Sequence, residues 1–141
     1  MGTAVENHKK AHASFNARDW AAVEKLMKEN VEYEDKPRAL TMKHRSEFID
    51  WLKDWATMMS DAEAADVDYI DGGSWSIARF TGRGLNDGSM GPIPATGNRL
   101  SMPFCEVMHW TDDGRCDRGE IYYDAMTMMV QLGVMEPPAQ M

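Results

Sequence analysis

Glu120, Tyr122 and Asp124 recur at every second position of the segment Cys116 to Met129. That segment reads as a long strand, following a first one from Leu100 to Trp110 around the turn Thr111-Asp112-Asp113-Gly114. Side chains two apart on a strand share a face, so one face of this hairpin presents a carboxylate, a phenol and a second carboxylate. On a concave face they make an acid/base pocket. On a solvent face they serve solubility.

Further candidates come from the first half of the chain. His12 lies on a helical stripe with Val5, His8 and Phe15, and reads either as a pocket residue or as a satisfied core histidine. Tyr33 and Asp35 share one face of a short early strand, leaving Glu32 and Glu34 outward. Trp51, Trp55 and Met58 stand about one helical turn apart, as a flat apolar wall or as ordinary core. The 13 methionines extend that choice, since methionine fills irregular space in a core or adapts a pocket to a bulky ligand.

These residues need elements to position them. A first helix is expected from Ala4 to about Ala17, and a second after the cap Asp19, with Trp20, Val23, Leu26 and Met27 as its stripe and Asn30 as its end. Val31 to Asp35 alternates like a strand and stops at Lys36-Pro37. A third helix runs from Ser46 to about Ser60, burying Phe48, Trp51, Leu52, Trp55, Met58 and Met59. Strands follow around Val67 to Ile70 and Trp75 to Phe80, joined by the turn Asp71-Gly72-Gly73. A loop spans Gly82 to Gly97, and then comes the final hairpin, whose second strand can end in a helical turn toward Leu132. Helices first and antiparallel strands second is the order of an α+β layer architecture.

Composition narrows the partners. At 141 residues the chain fits one domain, residues 1–141. A formal charge of -8 argues against nucleic acid, because phosphate binding needs a concentrated basic surface and Lys9-Lys10 is the only such doublet. The apolar runs are too short to cross a membrane. With no signal segment ahead of the first helix, Cys105 and Cys116 read as thiols in a reducing, cytoplasmic compartment, although their places on the hairpin allow a disulfide. His12, His44 and His109 are widely separated, and no HxH or HExxH motif sets two ligands on one element, so no metal is expected. The Gly82 to Gly88 loop lacks the lysine and Ser/Thr of a phosphate-binding loop.

Several short stretches, taken in order, point to a family. Phe80-Thr81-Gly82, Gly91-Pro92-Ile93-Pro94-Ala95-Thr96-Gly97-Asn98-Arg99, Asp113-Gly114-Arg115, Tyr123-Asp124 and Gln131-Leu132-Gly133 together resemble the SnoaL-like polyketide cyclases, or ester cyclases, of the NTF2-like superfamily. The resemblance implies an α+β cone, with three N-terminal helices packed on a strongly curved, mostly antiparallel sheet. It implies a homodimer, and a small apolar or aromatic carbonyl ligand held between the helices and the concave face. It also implies intramolecular aldol closure without cofactors. Asp124, seven residues before Gln131, corresponds to the family's acid/base aspartate, and His109 is the nearest match to its assisting histidine. Where many members read Glu-His-Trp before that aspartate, this chain reads Arg118-Gly119-Glu120.

The chemistry so implied is proton abstraction next to a carbonyl. Asp124 is the base, raised toward a useful pKa by apolar enclosure or by a neighbouring carboxylate, and His109 or a tyrosine hydroxyl donates to the enolate oxygen. Glu120 and Tyr122 share its face as pocket residues. A related isomerase, dehydratase or epoxide hydrolase is the alternative activity, although the Asp/Arg/Asp arrangement of such hydrolases is not evident around Arg79-Phe80-Thr81. A non-catalytic small-ligand binder of the same fold is the alternative without chemistry.

Overall fold

The computed structural model describes residues 3–139. Helix α1 is Thr3–Asn16 and α2 is Trp20–Leu26, the latter capped as expected by Asp19, whose side chain accepts from the Ala22 amide at 3.1 Å. The second helix stops one turn earlier than its apolar stripe implies. Met27 is already extended and pairs with Cys116, so strand β1 is Met27–Asp35. A single 3-10 turn, Lys36–Arg38, and left-handed Ala39 then reverse the chain into a short strand β2, Leu40–Met42, that periodicity does not reveal. Helix α3, Arg45–Met58, follows the His44 cap.

The remaining strands are β3 Glu63–Gly72, β4 Trp75–Leu85, β5 Arg99–Trp110 and β6 Cys116–Tyr123, with a fourth helix α4, Ala125–Gln131, at the end. Three strand boundaries differ from the sequence reading, the first being β3, which starts at Glu63 opposite Arg83 and not near Val67. β4 runs through Gly82 to Leu85, because Gly82 to Leu85 pair in register with Met102 to Arg99. β6 ends at Tyr123 and not near Met129, because Asp124 accepts the Met126 and Thr127 amides and starts a helix there.

The six strands form one sheet in the order β2-β1-β6-β5-β4-β3. All neighbours run antiparallel except β1 and β6, which are parallel, so the sheet is mixed. The expected strongly curved cone with three helices is corrected by this topology. The sheet is open, β2 and β3 are separate edges that do not meet, and among the described residues there are four α-helices, α4 following the last strand in addition to the three N-terminal ones. The parallel β1–β6 pair lies inside the sheet, with β2 at one edge and β3 at the other.

Helix α1 lies against β3 and β4, and α3 against β1, so one face of the sheet is covered. Alternation on β5 shows the result: Leu100, Met102, Phe104, Glu106, Met108 and Trp110 are buried, while the intervening residues are not. Met27, Met58, Met102, Met108 and Met128 are core residues, whereas Met126 is 45% exposed. Cys105 and Cys116 are both free thiols, for Cys105 stands opposite Tyr122 and Cys116 opposite Trp110. No helix among the described residues is long and apolar enough to cross a membrane.

Candidate active site

Glu106 is the one acidic residue in the buried stripe of β5, and it is 6% exposed. A carboxylate there must collect hydrogen bonds to remain ionised. Two come from α1, where His8 and His12 stand one turn apart. Their Nε2 atoms lie 2.8 and 2.7 Å from the same oxygen, Glu106 Oε1. The third comes from Tyr33 on β1, whose hydroxyl donates to Oε2. Tyr33 can lie flat enough to reach because its neighbour on β6 is Gly119, where a Cβ would stand 2.6 Å from Tyr33 Cδ2.

An outer ring of bonds fixes the protons. Trp110 Nε1 lies 2.9 Å from Ser76 Oγ, and an indole can only donate. The Glu106 carboxylate only accepts, so neutral His8 keeps its proton on Nε2 and its bare Nδ1 accepts the serine proton across 2.7 Å. His12 Nδ1 lies 2.9 Å from the Tyr69 hydroxyl.

The electrostatics follow. Burial alone pushes the Glu106 carboxyl up, but the hydrogen bonds from His12 and His8 outweigh it and hold the group well below the usual carboxylate range. Burial pulls His8 below its ordinary value, and its bond to Glu106 offsets this only in part. Tyr69 is pushed up to about 12 by burial and then by the Glu106 charge. Tyr33 is likewise raised well above its ordinary value, by burial first and then by the Glu106 charge. At neutral pH the cluster is thus one carboxylate ion among a neutral His8 and two protonated phenols.

Next to this cluster the helices stand off the sheet around a cavity of about 730 Å³ of empty space, its open mouth included. Phe15, Phe48, Trp51, Trp55, Phe80 and Phe104 make its walls. Phe80 and Phe104 are stacked at a centroid distance of 5.4 Å. Phe104 turns into space that a side chain at position 82 would take, since a Cβ on Gly82 would stand 2.4 Å from its ring. Arg83 and Glu63 line the mouth as an ion pair at 2.9 Å. The side chain of His8 is fully enclosed, whereas 12% of that of His12 is exposed and His12 lines the cavity. His12 is therefore the member of the pair that a ligand can touch.

Of the residues expected from sequence, His12, Trp51 and Trp55 line this cavity. Tyr33 and Asp35 stand behind its wall. Asp35 is fully buried and accepts from Trp51 Nε1 at 3.0 Å and from the Tyr123 hydroxyl at 2.9 Å. Met58 is core, and its neighbour Met59 lines the cavity instead.

The expected catalytic set is elsewhere. On β6 the less polar parity, Gly119, Ile121 and Tyr123, faces the helices, which turns Glu120 and Tyr122 outward. Tyr122 is 43% exposed, and Glu120 lies 3.9 Å from Lys36. Asp124 is exposed, caps α4, and its carboxyl is held below the usual range by the hydrogen bond from Thr127. His109 belongs to the outer parity of β5, bonded to Asp117 and packed on Trp75. Asp124→Asn should accordingly leave turnover unchanged, while Asp124→Ala should speed amide hydrogen exchange in the first turn of α4 without altering the rate. A large loss of turnover in Asp124→Asn would return that residue to the chemistry.

Sequence reasoning did not select Glu106, Tyr69 or the His8–His12 pair. Signals existed for two of these: an acidic residue breaks the apolar register of β5, and His8 and His12 are spaced by four on one helix. That spacing also corrects the expectation that no element carries two metal-ligating histidines. His8, His12 and Glu106 offer ligand atoms within 4.8 Å of one another. As folded, both histidines are bonded to one carboxylate oxygen, so these atoms face one another and not a shared vacant centre.

Comparisons with known proteins agree on the architecture. A candidate polyketide cyclase from Pseudomonas putida KT2440 superposes with a TM-score of 0.81 at 23% identity, over 93% of this chain and 98% of that one. IdmH, a candidate polyketide cyclase from Streptomyces antibioticus, gives 0.80 at 19%, over 93% and 99%. A candidate SnoaL-like polyketide cyclase from Jannaschia sp. CCS1 gives 0.85 at 15%, over 96% and 94%. At these identities the likeness is one of fold. A search of curated proteins finds no match. The family model for SnoaL-like polyketide cyclases matches residues 6–132, nearly the whole chain, and the chain belongs to that family.

Proposed function

We propose that the protein is a cofactor-independent acid/base enzyme acting on a flat, apolar carbonyl compound, most like an intramolecular aldol cyclase, with His12 and not Asp124 as its base. The observation that carries this reading is the His12–Glu106 pair at 2.7 Å on the edge of an aromatic cavity. A carboxylate on one imidazole nitrogen orients the ring and stabilises the imidazolium formed when the other accepts a proton.

In the proposed reaction the substrate displaces the Tyr69 hydroxyl from His12 Nδ1. A C–H bond next to the carbonyl breaks, its proton goes to Nδ1, and its electron pair moves into the enolate. Tyr69, which keeps its proton with a pKa near 12, donates to the enolate oxygen. The enolate carbon then forms a bond to a second carbonyl carbon, and the alkoxide so produced takes the proton back from His12. Atoms and charge balance without an added group. Tyr33 and His8 hold Glu106, and the aromatic walls exclude water that would compete for the proton.

Hydrogen–deuterium exchange at the carbon acid of 6-methoxy-2-tetralone, followed by proton NMR, tests the first step. Wild-type protein should accelerate exchange over buffer, and His12→Asn should lose about 100-fold or more of that acceleration while remaining folded. Equal acceleration by the folded variant would overturn the assignment. The alternative, a non-catalytic binder, draws on one observation: both nitrogens of His12 already have internal partners. It is the outcome if the ketone binds saturably and its exchange is not accelerated.

A further inference from the structure

Among the described residues, one buried side-chain nitrogen or oxygen has no hydrogen-bond partner, and it is Trp55 Nε1. The other deeply buried indoles are satisfied, Trp51 by Asp35 at 3.0 Å and Trp110 by Ser76 at 2.9 Å. Trp55 is 7% exposed and forms part of the cavity wall. Buried donors are almost always paired in folded proteins, and an exception in a cavity wall is a place where a ligand oxygen or an ordered water completes the pairing.

The other buried polar side chains of that wall are committed, and the pair at its mouth is exposed. Glu63 and Arg83 pair with each other, and Glu106 accepts from His8, His12 and Tyr33. His12 is bonded at both nitrogens. The Tyr123 hydroxyl, on a ring 5.6 Å from Trp55, is given to Asp35. Trp55 is thus the buried donor of the wall that has no partner, whereas the remaining N–H groups of Arg83 stand half-exposed to solvent. Rings lead from it to the base: Trp55 to Phe104 at 5.9 Å, Phe104 to Phe80 at 5.4 Å, and Phe80 to His12 at 5.0 Å.

We infer that Trp55 donates its indole N–H to an acceptor oxygen of the ligand, a carbonyl or ether at the end of a flat aromatic body remote from His12. The cavity then selects oxygenated aromatics over hydrocarbons of the same shape. A substrate carries one oxygen function at each end, one anchored by Trp55 and the other activating the carbon that His12 deprotonates. This deepens the ligand reading given above, and its test involves no proton transfer, so failure here leaves the role of His12 standing and the reverse also holds.

The test compares 9-fluorenone with fluorene, a planar pair that differs by the carbonyl and in which the ketone has no enolisable hydrogen. Wild-type protein should bind the ketone about tenfold more tightly than the hydrocarbon, about 1.4 kcal/mol. Trp55→Phe keeps an aromatic ring but removes the donor, and the ratio should fall to about one; taking the ratio cancels the packing lost with the smaller ring. A second readout needs no variant to fold. In wild-type nitrogen-15 spectra the Trp55 indole cross-peak should move downfield with fluorenone and not with fluorene. A tenfold ratio retained in Trp55→Phe, or an indole proton indifferent to the ketone, would overturn the inference.

Discussion

Replacing Glu106 by Gln should abolish most of the acceleration of carbon-acid exchange, by about 100-fold or more, while Glu106→Ala should cost about 3–5 kcal/mol of stability as well. The reason is the same in both variants. Three donors, His8 Nε2, His12 Nε2 and the Tyr33 hydroxyl, converge on one buried carboxylate. Glutamine keeps one oxygen but turns an NH₂ toward a donor, and it removes the charge that stabilises a His12 imidazolium. Alanine leaves all three donors without a partner, two of them, His8 and Tyr33, fully buried. Urea unfolding separates loss of fold from loss of rate. A Gln variant of wild-type exchange rate would make Glu106 a structural residue only.

Stability should fall on acidification in two stages, the upper one set by His8 and the lower one by Glu106 together with the surface carboxylates Asp87, Asp113 and Asp124, which are also held below their ordinary range. His8 is held below its ordinary pKa by burial among Glu106, His12, Tyr69, Ser76 and Trp110. Once the pH drops below about 6.5 an unfolded chain protonates this histidine and the folded chain does not. The unfolded state then binds more protons, so stability decreases as pH falls, by at most about 1.4 kcal/mol per pH unit for one such group. Glu106 acts with the same sign. Its folded pKa is depressed, so its contribution is complete above the unfolded value near pH 4.3 and is lost as the pH falls from there toward the folded one. Urea unfolding between about pH 7.5 and about pH 2.5 should show both slopes. His8→Gln, which can still donate to Glu106, should flatten the upper stage and leave the lower. A variant that keeps the upper slope would assign it to another histidine.

Much of the fold is local and was legible. The period of Phe48, Trp51 and Trp55 demands a helix with one buried side, and Asp19 caps its helix wherever that helix packs. The early end of α2 and the strand β2 were not legible, because both depend on pairing across the sheet. Met27 leaves the helical stripe to join Cys116, and Leu40 to Met42 gain a partner only when the chain turns back on β1. The order of the strands was hidden for the same reason, as the parallel contact between β1 and β6 joins segments far apart in sequence.

The site divides along the same line. Residue types and spacing determined, without any structure, that β6 has a polar and a less polar parity, that β5 carries one carboxylate in an apolar register, and that α1 presents two histidines on one side. A period of two gives the membership of a strand face and not its direction. Direction was decided by tertiary structure: α1 and α3 bury the face of Phe104, Glu106, Ile121 and Tyr123, so Glu120 and Tyr122 point outward and Asp124 becomes a helix cap. Burial then forces Glu106 to gather donors from elements 73 to 98 residues away in sequence, because a carboxylate removed from water remains ionised only where such partners converge.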